Sequence, residues 1–147
     1  MTYSKSKNEY YLQLELGEDL MGSLIAFAKK ENIHTAHLSI IGGALDVELG
    51  AYLIDKKEYI WKKFVAPLGA PYELLSAIGN ITLLKNEPFP HVHGVFGDDA
   101  FQTFGGHIRN MKVGATCEVI ITPADTEIHR EMNSAIGLNV WNCPNNV

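Results

Sequence analysis

The residues best suited to chemistry in this chain are three histidines, His91, His93 and His107. His91 and His93 are separated by one residue, so on a β-strand both side chains point to the same face. Their alpha carbons would be about 6.5 to 7 Å apart. Both imidazoles can therefore reach one point above that face, and this geometry is suited to binding a metal ion.

The third histidine can reach the same point if this segment folds back as a hairpin. The acidic run Gly97-Asp98-Asp99 predicts a turn, which would place His107 opposite one of the first two histidines. The glycines at Gly105-Gly106 fit a bulge or a close approach of other backbone. A single His-x-His pair is usually two satisfied polar side chains. Three neutral imidazoles with an open fourth position predict a zinc site that can hold water or a ligand.

The bulk composition indicates one globular domain. The 147 residues are 46% hydrophobic and carry a net charge of -5, and we expect residues 1–147 to form a single domain with its core over about 8–142. The lysines are scattered in short pairs, whereas a free-standing nucleic-acid binder usually gathers its positive charge into a stripe. No apolar run reaches the length of a membrane span, so we expect a cytoplasmic protein with no membrane partner. The two cysteines have no metal or redox spacing and are expected to be reduced.

The first third of the chain shows the one clear helix. Alternation from Leu12 to Leu16 predicts a strand, and from Glu18 the apolar period changes to that of a helix. Acidic residues at its start and Lys29-Lys30 at its end match the helix dipole, and Asn32 closes it. The rest of the chain is predicted to be mostly antiparallel strands, which makes the fold class α/β (α+β) with one main helix on the sheet.

Glycines, prolines and turn residues divide the remaining sequence into strands. We predict strands that are broken at Gly42-Gly43, at the turn Asp55-Lys56-Lys57, and at Gly79-Asn80 within the apolar run from 72 to 84. Another strand covers 113–122. The segment 128–140 is ambiguous, and residues 142–146 are expected to be a loose end.

Three blocks of this sequence, in this order, resemble the plants-and-prokaryotes-conserved (PPC) domain in its stand-alone prokaryotic form. They are Ser39–Leu45, Tyr72–Ile81, and Pro90–His93 with Gly105–His107. The resemblance covers most of the chain, although Ala70-Pro71-Tyr72 replaces the family's Gly-Arg-Phe.

The resemblance implies a largely antiparallel sheet, a homotrimer, and a zinc ion held by the residues that stand at His91, His93 and His107. In plants the domain follows an AT-hook, an Arg-Gly-Arg-Pro segment that enters the minor groove, and the PPC domain handles trimerisation and contacts with transcription factors. The AT-hook is missing here, where Arg109 and Arg130 are the two arginines. Since arginine in the narrow minor groove is the basis of that binding, DNA or a transcription factor is a partner by resemblance alone.

An enzyme would need an acid or base beside the metal. Glu73 is the candidate catalytic residue, because it is a charged residue within an apolar strand and such a residue needs a partner. A salt bridge or a hydrogen bond to a neighbouring subunit is the more common explanation for such a residue. Asp98 and Asp99 are most simply turn residues, and the sequence does not decide whether Gln102 or Thr103 faces the metal.

The other histidines and the tryptophans have simpler interpretations. His34 and His37 could form a second site, but a histidine near a helix C-terminus is commonly explained by the dipole. His129 is expected to be exposed. Trp61 and Trp141 are expected to be anchors in the core or at a subunit interface, since no basic groove surrounds them in the sequence.

Two classes of function therefore remain open. The first is a zinc-binding, homotrimeric PPC domain that acts as a regulatory or DNA-associated module. The second is a small metal-dependent enzyme, a hydrolase or lyase, in which zinc activates water or coordinates a small anionic ligand. Zinc could instead be structural, which would require a fourth protein ligand, for example from another subunit. Imidazole ligands also suit other transition metals.

Overall fold

The computed structural model describes residues 1–143. Most of the loose end expected at 142–146, from position 144 onward, lies outside the described residues. Within 1–143 the chain forms nine strands and one helix. Their bounds are β1 (Thr2–Lys5), β2 (Tyr10–Glu15), α1 (Leu20–Lys30), β3 (Ala36–Leu53), β4 (Glu58–Val65), β5 (Tyr72–Leu84), β6 (Glu87–Gly97), β7 (Thr103–Pro123), β8 (His129–Asn133) and β9 (Leu138–Asn142). In this part of the chain, no helix is long and apolar enough to cross a membrane.

Helix α1 confirms the predicted helix. Asp19 caps its N-terminus, since the carboxylate oxygen Oδ1 accepts a hydrogen bond of 2.6 Å from the backbone N–H of Gly22. After its last turn, Asn32 adopts a positive φ of 52°. The helix packs against β6 and β7 through a stripe of buried side chains, Leu20, Leu24, Phe27 and Ala28.

Four of the strands pair in a closed cycle. Strand β3 pairs with β5 and β7, β5 pairs with β6, and β6 pairs with β7, all antiparallel. Strand β2 extends the sheet beside β7, β1 pairs with β2, and β4 pairs with β3. The exception to the antiparallel pattern is the short parallel pairing of β5 with β8, which leads into the β8–β9 hairpin. The structure thus confirms a mostly antiparallel sheet with one main helix.

Two of the predicted strand breaks are wrong. Strand β3 runs through Gly42-Gly43 and β5 runs through Gly79-Asn80. These glycines mark close backbone contacts: a Cβ added to Gly43 would lie 1.9 Å from the carbonyl oxygen of Gly114, and one added to Gly79 would lie 2.4 Å from that of His91. Strand β1, in a stretch without apolar alternation, was not predicted.

The strands have a buried inner face and an exposed outer face. The core includes Leu38, Ile40, Ile81, Val92, Ile108 and Val119, each at most 1% exposed. Directly paired residues share a face, so one outer row runs from Tyr11 across the sheet to the histidines. Its members, in order, are Tyr11, Ile120, Ser39, Ile78, His93 and His107.

Candidate metal centre

The three histidines are brought together by the hairpin of β6 and β7. His93 pairs directly with His107, which confirms the predicted return of the chain. The turn is held by Asp98, whose Oδ1 accepts hydrogen bonds from the backbone N–H groups of Ala100 at 3.0 Å and Gln102 at 2.8 Å. Asp98 therefore acts as a turn residue, as the sequence predicts.

The imidazole rings converge on the outer face of the sheet. Each ring offers one nitrogen, and these three nitrogens all lie within 4.8 Å of one another. The Nε2 atoms of His91 and His93 are 3.1 Å apart. The ring centroid of His107 is 5.0 Å from that of His91 and 5.3 Å from that of His93. Such spacing allows one cation to contact all three rings.

Burial keeps two of these histidines neutral. It lowers the pKa of His91 to about 4, with further contributions from the positive charge that His107, Arg130 and His93 can carry. Burial likewise lowers the pKa of His107 to about 4, helped by His93 and Arg130. A neutral imidazole has a free lone pair, so both rings are ready to coordinate a metal at neutral pH.

An unsatisfied nitrogen in the cluster also fits a metal. The Nδ1 atom of His107 is buried and has no hydrogen-bond partner among residues 1–143. A buried polar atom without a partner is costly and calls for an explanation such as a bound ion. Three imidazole nitrogens suit zinc and several other transition metals. The residues present therefore fit a metal, with His91, His93 and His107 as its ligands.

Close backbone packing holds the hairpin in this geometry. A Cβ added to Gly105 would lie 2.6 Å from the carbonyl oxygen of Gly94 on the paired strand. One added to Gly106 would lie 2.9 Å from the carbonyl oxygen of Gly50 on β3. The predicted close approach of other backbone at these glycines is confirmed, and it fixes the position of His107.

Arg130, which we did not predict as a site residue, lies beside the cluster. Its side chain comes from β8 and is buried, with only 8% exposed. Its Nε donates to Thr82 Oγ1 at 2.7 Å, and its Nη2 donates to Asn80 Oδ1 at 2.9 Å and lies 3.4 Å from His91 Nδ1. Its Nη1 donates to the carbonyl oxygen of Asn139 at 3.1 Å. An arginine alone in an ambiguous segment gives no sequence signal for this position.

A pocket of about 670 Å³ opens between the histidines, Arg130 and strand β4. We call it the Arg130 pocket. Tyr59 and Trp61 form one wall, with stacked rings whose centroids are 4.7 Å apart, and Tyr59 also contacts His107 at 5.1 Å between centroids. The residues of this pocket used below are Tyr59, Trp61, Phe89, His91, His107 and Arg130.

The other sequence candidates lie elsewhere. Glu73 is exposed and pairs with Gly97, about 13 Å along the strand from His93. The structure therefore does not bring Glu73 to the histidines of its own subunit. Thr103 also pairs with Gly97, so neither it nor the turn residue Gln102 reaches the cluster.

The remaining histidines do not join the cluster. Glu127 contacts His34 through Nδ1 and lies 3.5 Å from Nε2 of His129. His37 is exposed on the outer face of β3, where it pairs with Asn80. The structure thus brings no second metal site together at His34 and His37.

The tryptophans and cysteines have distinct environments. Trp61 is 36% exposed and Trp141 is 47% exposed, so neither is a core anchor, and both line pockets beside the histidines. The aromatic wall of Tyr59 and Trp61 is a second feature that was not predicted from the sequence. Cys117 is buried and Cys143 is exposed, and both are free thiols, as predicted.

The fold and the site define a closed, antiparallel β-sheet domain with a three-histidine cluster on its outer face. A family model for the Plants and Prokaryotes Conserved (PCC) domain, the PPC domain named above, matches residues 1–125. The chain therefore belongs to the PPC family. No protein of curated function matches the sequence.

Solved structures of relatives have the same fold over nearly the whole of this chain. A PPC protein from Pyrococcus horikoshii is 31% identical, with a TM-score of 0.85 over 99% of this chain and 97% of that chain. A metal-containing protein from Archaeoglobus fulgidus is also 31% identical, with a TM-score of 0.85 over 97% and 99% of the two chains. A "Putative DNA-binding protein" from Ralstonia eutropha is 27% identical, with a TM-score of 0.88 over 97% and 96%.

Proposed function

We propose that this chain is a zinc-binding PPC-domain protein that assembles as a homotrimer and acts as a DNA-associated regulatory module. The observation that carries the proposal is the convergence of three histidine nitrogens within 4.8 Å of one another. Two of these histidines are kept neutral by burial, and the buried Nδ1 of His107 lacks a partner among the described residues. The similar Archaeoglobus protein is named for its metal, which supports a metal here.

Self-association is supported by apolar side chains on the outer face of the sheet. Ile41, Ile78, Val95 and Ile120 are between 37% and 60% exposed, and they lie on neighbouring strands. An exposed apolar group of this kind is typical of an interaction surface. Because Ile78 pairs with His93, assembly through this face would bring a second subunit to the edge of the metal centre.

A DNA-associated role is supported by the family and by the name of the Ralstonia relative. Because the net charge is -5, any contacts with DNA phosphates must come from a local group of positive side chains. The strongest local candidate is β4, which carries Lys62 and Lys63 and follows a turn with Lys56 and Lys57. We propose that this basic strand supplies the phosphate contacts.

Elemental mass spectrometry of the purified protein, combined with its mass in solution, tests the metal centre and the trimer. We expect about one zinc per chain in a trimeric wild type, and loss of zinc with retention of the trimer in His93→Ala. His34→Ala is the matched control, because His34 lies outside the cluster, and it should keep its zinc. Absence of metal from the wild type would overturn the metal centre, and a monomer would overturn the trimer.

Fluorescence anisotropy with a labelled AT-rich duplex tests the DNA association. We expect a Kd of about 10⁻⁴ to 10⁻⁶ M, and binding that weakens steeply as the salt concentration rises. The double variant Lys62→Gln/Lys63→Gln should weaken binding, whereas Lys29→Gln/Lys30→Gln, at the end of α1, should not. Equal effects of the two variants, or no binding by the wild type at low salt, would contradict the proposed role.

The Arg130 pocket favours a second candidate function, that of a metal-dependent hydrolase or lyase. Three protein ligands leave a coordination position open, as in catalytic rather than structural zinc sites. The pocket beside the histidines has room for a small substrate. Among the described residues that line it, none is an aspartate or glutamate. Zinc-dependent hydrolysis of p-nitrophenyl acetate that is abolished in His93→Ala would support this function over a purely regulatory one.

A further inference from the structure

Arg130 is a buried cation whose hydrogen-bond partners are all neutral. The guanidinium donates to a threonine hydroxyl, an asparagine amide oxygen and a backbone carbonyl. Within residues 1–143 no carboxylate forms a salt bridge with it, whereas Arg109 lies 3.4 Å from Glu48. Removing a charge from water is costly unless an opposite charge compensates for it. The arrangement therefore calls for an anion.

The contact between Arg130 and His91 indicates where the anion is needed. The guanidinium nitrogen Nη2 and the imidazole nitrogen Nδ1 are 3.4 Å apart. The Nε2 atom of His91 is the nitrogen that faces His93, so a metal there would leave the proton on Nδ1. Two donors would then face each other, and a metal-bound histidine usually donates this proton to a carboxylate, a carbonyl or water. A negatively charged acceptor would satisfy both donors.

The walls of the pocket indicate the body of the ligand. Trp61 and Tyr59 present stacked rings on one side, and Phe89 lies under the guanidinium, with its ring centroid 5.1 Å from the central carbon of Arg130. Flat or apolar groups pack well against such rings. No acid among the described residues lines the pocket to repel an anion.

We propose that the Arg130 pocket binds a small organic carboxylate with a flat or apolar body, whose negative charge pairs with Arg130. The body packs against Trp61 and Tyr59, and the carboxylate lies between the guanidinium and the histidine cluster. The site deepens the proposed function, since it rests on the metal centre for the second donor at His91, while the unpaired charge of Arg130 does not depend on a metal. The family match ends at residue 125, before Arg130 and the β8–β9 hairpin.

Isothermal titration of the trimeric, zinc-loaded protein with benzoate, and with benzamide as its neutral analogue, tests this proposal. We expect saturable binding of benzoate and at least tenfold weaker binding of benzamide, because only benzoate carries the charge. Acetate should bind more weakly than benzoate, since it lacks the ring. No saturable binding of benzoate, or equal binding of benzoate and benzamide, would overturn the proposal.

Two variants test the role of Arg130. Arg130→Gln removes the cation, and Asn80→Asp supplies an internal carboxylate at a position whose amide oxygen now lies 2.9 Å from Nη2. Both should weaken benzoate binding at least tenfold. Asn80→Asp keeps the shape of the side chain, so it remains informative if Arg130→Gln fails to fold. Lys29→Gln, which removes an exposed positive charge at the end of α1, is the matched control and should bind benzoate as the wild type does.

Two further measurements separate the alternatives. Zinc content is measured in every sample. A variant that loses benzoate binding but keeps its zinc has a defect in the pocket alone. Absence of zinc from the wild type would contradict the metal centre and not the role of Arg130. Titration of the metal-free protein with benzoate then tests the contribution of Arg130 without that of a metal. A 20-base-pair duplex is added as a competitor. Stoichiometric displacement of benzoate by the duplex would identify a DNA phosphate as the occupant and overturn the proposal of a small carboxylate.

Discussion

The Nη2 atom of Arg130 lies 3.4 Å from the Nδ1 atom of His91, although the two residues are 39 positions apart in the chain. The contact joins the C-terminal β8–β9 hairpin to the histidine strand β6. Arg130 is further fixed by hydrogen bonds to Thr82 and Asn80 on β5. The β8–β9 hairpin is therefore tied to the histidine strand β6 and to its neighbour β5.

The outer-face isoleucine Ile78 provides a test of assembly. It is 60% exposed and pairs with His93. Ile78→Glu should dissociate the trimer at micromolar concentration, because a charge buried in an apolar interface loses its hydration. Light scattering after size-exclusion chromatography measures the mass. Leu68→Glu, at an equally apolar and more exposed loop position, should remain trimeric, and a trimeric Ile78→Glu would show that this face is not the interface.

The metal-free protein should lose stability as the pH falls from about 6.5 to about 4. Burial lowers the pKa of His91 and His107 to about 4 in the folded chain, so over this range the unfolded chain binds more protons than the folded one. The free energy of unfolding then decreases with falling pH, by about 1 to 2 kcal/mol per histidine at pH 5, and levels off below pH 4.

Urea denaturation after chelation, at several pH values, measures this dependence. His107→Gln should remove the contribution of one histidine and so reduce the slope between pH 6.5 and 4. A metal-free wild type whose free energy of unfolding is constant over this range would contradict the assignment of His91 and His107 as buried neutral groups.

The glycine at position 79 is required for the approach of β5 to β6. In Gly79→Ala the added Cβ would lie 2.4 Å from the carbonyl oxygen of His91, so the backbone must move. We expect a loss of about 1 to 3 kcal/mol in the free energy of unfolding, together with weaker zinc binding. Thermal and urea denaturation measure the loss. In Gly97→Ala the nearest atom would be 3.6 Å away, so this control should change stability little.

The two thiols should differ sharply in reactivity. Burial raises the pKa of Cys117 to about 12, with a smaller contribution from Glu118, and only the thiolate is an effective nucleophile. Cys143 is exposed. Iodoacetamide at pH 8 should therefore label Cys143 in the native protein and Cys117 only after unfolding, as read by peptide mass spectrometry. Labelling of both at similar rates would show that the core around Cys117 opens readily.

The histidine cluster could be predicted from sequence because its parts are local. The pairing of His91 with His93 depends only on the two-residue period of a strand, and the return to His107 depends on a turn with clear signals at Asp98. The helix could be predicted for the same reason, since its cap at Asp19 and its apolar period lie within one short segment.

The features that sequence reasoning missed depend on distant contacts. Gly43 and Gly79 read as breaks, but they serve to let another strand approach, which only the sheet register reveals. Arg130 reaches the site through the parallel pairing of β5 with β8, and Trp61 forms its wall through the pairing of β4 with β3. Glu73 lies away from the cluster because it pairs with Gly97 and not with a histidine of β6, and this register depends on contacts between distant segments.

The three histidines and Arg130 are carried by separate stretches of the chain. The histidines lie on the β6–β7 hairpin, whereas the β8–β9 hairpin that carries Arg130 begins after β7 has ended. During synthesis, the hairpin that carries the histidines therefore leaves the ribosome before the β8–β9 hairpin does. If Arg130 pairs with the ligand as we propose, replacement of residues 129–142 by another hairpin would change the ligand preference of the pocket, while the three histidines would remain on strands that the replacement does not touch.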